Sequence, residues 1–129
     1  MYSNPALGAA PQKWAVPDGT IPVFDRRIQY VPVDEIIMIE GDGNYTNFSC
    51  TNGRRIMVSK TLRDYEKLLG ENSPFFRIHK SYLINRRFVQ RYDVRGEDCV
   101  WLKTGHILSI ARRRKHEFDQ FMRQHARRN

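Results

Sequence analysis

The sequence predicts a mainly β fold with one internal helix and one short helix at its C-terminal end. Three observations predict it. Short runs of β-branched and aromatic residues recur between turn-forming residues. A single internal segment has helical spacing with both of its caps in place. An apolar stripe at i, i+3, i+4 closes the chain.

Residues 1–19 carry Pro5, Pro11 and Pro17 among Ala and Gly and show no periodicity, so they read as a flexible leader or linker. They lack the charged start and apolar run of a signal peptide. The folded domain is expected over residues 20–129. "TIPVF", "RIQYVP", "EIIMIE", "NYTNFSCT" and "RRIMVS" follow as strands. "GDGN" (41–44) and "TNG" (51–53) supply residues that tolerate positive φ. Asn52-Gly53 is the strongest hairpin cue, so "NYTNFSCTNGRRIMVS" reads as one hairpin.

Thr61 with Asp64 forms a capping-box-like start, and Leu62, Tyr65, Leu68 and Leu69 then recur at helical spacing. Gly70 stands where a C-cap belongs, and Pro74 prevents continuation. Strand pattern returns in "RIHKSYLI", "FVQRYDV", "CVWLKT" and "HILSI", with "RGED" (95–98) and "TGH" (104–106) as turns. Phe118, Phe121 and Met122 then mark the terminal helix.

Charge is unevenly placed along this framework. Residues 1–70 hold eight Lys/Arg and eight Asp/Glu, whereas residues 71–129 hold fourteen against six, which is the whole net charge of +8. Such an asymmetry fits a face for a polyanion, nucleic acid or an anionic membrane, or a merely solvated basic surface. No apolar run approaches the roughly 20 residues that span a bilayer. Cys50 and Cys99, with no secretory start, are expected as free thiols of a cytoplasmic protein.

Two segments concentrate the charge. "ARRRK" (111–115) opens the terminal helix with four basic residues, against the macrodipole's preference for anions there. "RIHKSYLINRR" (77–87) sets Arg77, Lys80, Arg86 and Arg87 among Phe75, Phe76 and Tyr82, with Ser81 and Asn85 as further donors. Exposed, those aromatics would suit RNA or single strands; buried, they would leave only the charges outward. A helix-turn-helix needs closely spaced helices, and two helices some forty residues apart do not supply one, so loops or strands must read any DNA. "GDGNYTN" (41–47) lacks the Gly-Lys-Ser/Thr ending of a phosphate loop. His79, His106, His116 and His125 have no metal-ligand spacing, and no nucleophile–base set emerges. Neither a metal nor a cofactor is expected, and an enzymatic reading, a small nuclease or phosphate-transferring enzyme, would need a carboxylate metal cluster.

Three blocks, in this order, resemble the LytTR family of bacterial DNA-binding domains: "EIIMIEGDGNYTNF", "FFRIHKSYLINRRFV" with its Arg-x-His-x-Ser-Tyr followed by Asn, and "HILSIARRRKHEF". The resemblance spans roughly residues 20 to 122. It implies an elongated, mostly β fold of about ten short strands in small sheets. It further implies loops that enter successive major grooves at short direct repeats and bend the DNA.

Carried over by motif, the base contacts are expected at Asn44 and Tyr45, at Lys80, and at Arg112. Arg77, Ser81, Arg86, Arg87, Arg113, Arg114 and Lys115 are then expected on the DNA backbone, where contacts position but do not specify. Ala111 departs from the Ser usual before the closing Arg, and Ser109 from a frequent Pro. The implied partners are double-stranded DNA with repeated half-sites, a second copy on the adjacent repeat, and an upstream receiver or sensor module. A β-rich RNA or single-stranded nucleic-acid binder stands as the alternative.

Overall fold

In the computed structural model, residues 19–25, 27–70 and 73–126 are described. The leader expected over residues 1–19 lies, Gly19 apart, outside them. Strands β1 (Thr20–Asp25) and β2 (Arg27–Pro32) form an antiparallel hairpin. β3 (Ile36–Asp42), β4 (Tyr45–Cys50), β5 (Arg55–Val58), β6 (Phe75–His79) and β7 (Tyr82–Asn85) form a five-stranded sheet in the order β5-β4-β3-β7-β6. β8 (Val89–Asp93), β9 (Cys99–Leu102) and β10 (Ile107–Ser109) form the third sheet. The helices are α1 (Leu62–Leu69) and α2 (Lys115–Ala126).

The five-stranded sheet is covered on both faces. One face buries Ile39, Phe48, Val58 and Leu83 against Leu62, Tyr65 and Leu69 of α1 and against Ile21, Val23 and Val31 of the first hairpin. The other buries Met38, Ile78 and Ile84 against Val100, Leu102 and Leu108 of the third sheet and Phe118 of α2. A strand covered on both sides should read as a continuous apolar run, and Ile36 to Ile39 does. A register shift between Ile36 and Met38 turns Ile37 and Met38 to the same side.

The local signals act as expected in α1. Thr61 and Asp64 exchange side-chain and backbone hydrogen bonds in a full capping box, and Gly70 ends the helix at a φ of 70°. The Asn52-Gly53 turn joins β4 to β5 in the expected hairpin. α2 is fixed by Phe118 and Phe121, whose rings stand 5.4 and 5.0 Å from that of Phe76, and by a 2.9 Å hydrogen bond from the Tyr92 hydroxyl to Asp119. Asp93 accepts from the N–H groups of Arg95, Gly96 and Glu97, and these bonds lower its carboxyl pKa while they shape the "RGED" turn.

Two readings need correction. "RIHKSYLI" is not one strand: β6 ends at His79, a turn at Lys80-Ser81 reverses the chain, and β7 pairs back on β6. No Gly or Asn marks this turn, because side chains within the segment build it. Asn85 is not a donor for nucleic acid. It is fully buried, gives its amide hydrogens to the carbonyls of Val33 (3.1 Å) and Ile36 (2.9 Å), and accepts from the Arg87 N–H. It ties the end of β7 to the 3-10 turn Val33–Glu35.

Candidate nucleic-acid interface

Three segments that sequence reading singled out meet at one end of the five-stranded sheet. The first is the β3–β4 turn, where Gly43 (φ 63°) and Asn44 lie between the paired residues Asp42 and Tyr45. Asn44 is exposed and Tyr45 is half exposed. The second is the Lys80-Ser81 turn. The Gly41 N–H donates to the Ser81 carbonyl at 2.9 Å, which places the two turns side by side. The third is the 3-10 turn Arg112–Arg114 ahead of α2, anchored where the Ala111 N–H donates to the Ile78 carbonyl at 2.8 Å. Ile78 is two residues before Lys80, so the third turn also flanks the second.

The Lys80 turn is held by its own neighbours. Arg77 donates Nε to the His79 carbonyl (3.3 Å) and Nη2 to the Lys80 carbonyl (2.5 Å), while Nη1 pairs with Glu66 of α1 at 2.9 Å. His79 Nδ1 accepts the Ser81 N–H at 3.1 Å, and its ring lies 5.5 Å from that of Tyr82. Three backbone groups of a tight turn are thereby satisfied without water. The Lys80 side chain is left exposed at the tip.

Ion pairing divides the basic residues. Arg77 is bound to Glu66, Arg87 to Asp34, and Lys115 to Asp98 at 3.1 Å. Arg86 and Arg87 follow β7 at the end opposite the Lys80 turn, so they do not join it. By contrast, no described carboxylate pairs with Lys80, Arg112, Arg113 or Arg114. Arg113, Arg114, Lys80 and His79 line a cleft whose remaining wall comes from Ala111, Arg77, Glu66 and Arg63. Arg63 was absent from the sequence-based set. It shares an amphipathic helix with Asp64, Glu66 and Lys67 in the charge-balanced half of the chain, so no basic run marks it, and the packing of α1 over Gly41 brings it here.

The aromatics beside the charge are core. Phe75 is buried, and Phe76 and Tyr82 pack against the second core, so this segment offers no open stacking platform. Among the described residues there is no group of three or more His, Cys, Asp or Glu side chains that could hold a metal ion. None of the described helices is long and apolar enough to cross a membrane. Cys50 and Cys99 are free thiols, and burial raises the Cys50 pKa.

Comparison with known proteins agrees with this architecture. Solved structures similar to the chain include a LytTr DNA-binding domain from Bacillus cereus, described as that of a methyl-accepting/DNA response regulator. It aligns with a TM-score of 0.66 at 15% identity, over 81% of this chain and 96% of that one. No curated protein matches. The family model for the LytTr DNA-binding domain matches residues 26–123. The chain belongs to the LytTR family of DNA-binding domains of transcription regulators.

Proposed function

We propose that the chain is the DNA-reading domain of a cytoplasmic bacterial transcription regulator and binds duplex DNA sequence-specifically through its three clustered turns. The observation that carries this reading is the convergence of Asn44-Tyr45, Lys80 and Arg112 at one end of the sheet, with basic residues that no described carboxylate neutralises. Asn44 and Tyr45, Lys80 and Arg112 then supply base contacts, and Lys favours guanine O6 and N7. Arg113, Arg114 and the Ser81 hydroxyl supply phosphate contacts. Arg77 is better suited to positioning than to phosphate binding, since its fork is filled by Glu66 and two carbonyls. Arg87 and Lys115, each with an ion-pair partner, and Arg86, at the opposite end of β7, are weaker candidates for the backbone.

Turns clustered at one end of a sheet suit successive grooves, so two short direct repeats, a second copy on the adjacent repeat, and bending of the site complete the proposal. The similar domain from Bacillus cereus is described as part of a response regulator, which supports an upstream receiver or sensor module for this one. Selection of binding sites from a random duplex pool tests the reading. Two related half-sites about one helical turn apart are expected. Gel shifts of the selected duplex against RNA of the same sequence test it further, and tighter RNA binding would sink it.

A further inference from the structure

We infer that the cleft beneath the Lys80 turn seats the phosphates of one DNA strand, and that α1 contributes to this seat through Arg63. The inference rests on the duplex-binding reading and adds an element to the interface that the sequence blocks do not contain. The cleft is lined by Lys80 of the β6–β7 turn, by Arg113 and Arg114 of the turn before α2, and by Arg63 of α1. Loops that enter neighbouring grooves must straddle the backbone running between them. The depression separating the Lys80 turn from the Arg112–Arg114 turn is where that backbone has to pass.

Charge supports the same occupant. Among the described residues lining the cleft the one carboxylate, Glu66, is neutralised by Arg77 at 2.9 Å, which leaves Arg63, Lys80, Arg113 and Arg114 as cations with no described carboxylate partner. Guanidinium groups approach phosphate oxygens in a two-pronged fashion, so three of them around one depression match a phosphodiester better than a base edge. Arg63 also lies in the first turn of α1, where the macrodipole disfavours a cation. An anion bound there offsets that cost.

The test is the salt dependence of duplex binding for Arg63→Gln, Arg63→Lys and the wild type, on a selected duplex and on a random one. Lys103→Gln, in the exposed β9–β10 turn, serves as the control. That turn lies beside Thr51 and Gly53, at the end of β4 away from Tyr45. Arg63→Gln is expected to lower the slope of log K against log salt by about 1 on both duplexes. Arg63→Lys and Lys103→Gln are expected to keep the wild-type slope, and circular dichroism to show the same fold in all four proteins. An unchanged slope for Arg63→Gln overturns the inference, as does a loss confined to the selected duplex or an equal loss in Lys103→Gln. A wild type that binds neither duplex instead removes the function on which the inference rests.

Discussion

Gly41 and Ser81 are joined backbone to backbone, the N–H of one donating to the carbonyl of the other over 2.9 Å. The bond continues the β3–β7 ladder one step beyond Glu40 and Tyr82, so the β3–β4 turn and the Lys80 turn share one rigid edge. α1 also packs tightly over Gly41, since a Cβ there would stand 2.9 Å from the Leu62 Cβ. The same residue therefore registers two turns and a helix.

Gly41→Ala is expected to destabilise the domain by about 1–3 kcal/mol, because neither the sheet nor the capped start of α1 can yield cheaply. The midpoint of urea unfolding measures this. A midpoint equal to that of the wild type would show that α1 retreats freely from the sheet.

Arg77→Lys separates positioning from charge. Lysine keeps the positive charge but cannot hold Glu66 and the carbonyls of His79 and Lys80 at once. Binding to a selected duplex should weaken, binding to random duplex should change little, and the salt slope should stay the same. A fall in slope of about 1 would return Arg77 to the phosphate contacts.

Arg112 and Arg114 are adjacent but for one residue and are expected to fail differently. Arg112, exposed on its turn, does not line the cleft, whereas Arg114 does. Arg112→Ala should weaken specific binding by about 1–3 kcal/mol and relax preference at one base position. Arg114→Ala should weaken all duplexes alike and lower the salt slope. Equal losses on selected and random duplex for Arg112→Ala would take it off the base-reading set.

How much of this was legible depends on the reach of each interaction. The Asn52-Gly53 hairpin and the Thr61–Asp64 capping box are made by residues within a few positions of each other, so the sequence displays them whole. The charges were visible and their partners were not. Glu66, Asp98 and Asp34 come to Arg77, Lys115 and Arg87 across sequence separations of 11, 17 and 53 residues. Asn85 misled because its residue type is mostly exposed, and only three surrounding backbone groups explain its burial. The turn inside "RIHKSYLI" was masked by strand-like composition, although the Arg and His that build it lie in the segment itself.

The start of α1 links acid stability to the candidate site. Asp64 accepts the Thr61 N–H at 3.2 Å, and Thr61 Oγ1 accepts the Asp64 N–H at 3.1 Å. The backbone bond from Thr61, followed by the Thr61 side-chain bond, holds the Asp64 carboxyl below its usual pKa. A carboxyl depressed in the folded state contributes stability above its unfolded pKa of about 3.9, and that contribution fades as pH falls through the lower folded value. Thr61→Ala removes one side of the box and should cost about 0.5–2 kcal/mol near neutral pH. It should also flatten the loss of stability below about pH 4, because less of the Asp64 depression remains to be lost. Urea midpoints across that range measure both effects. Since Leu62 and Arg63 directly follow the cap, Thr61→Ala should weaken binding to random duplex as well, without relaxing base preference. A Thr61→Ala protein that parallels the wild type in its acid limb would show that the Asp64 depression comes from the residue-61 backbone N–H and not from the Thr61 hydroxyl.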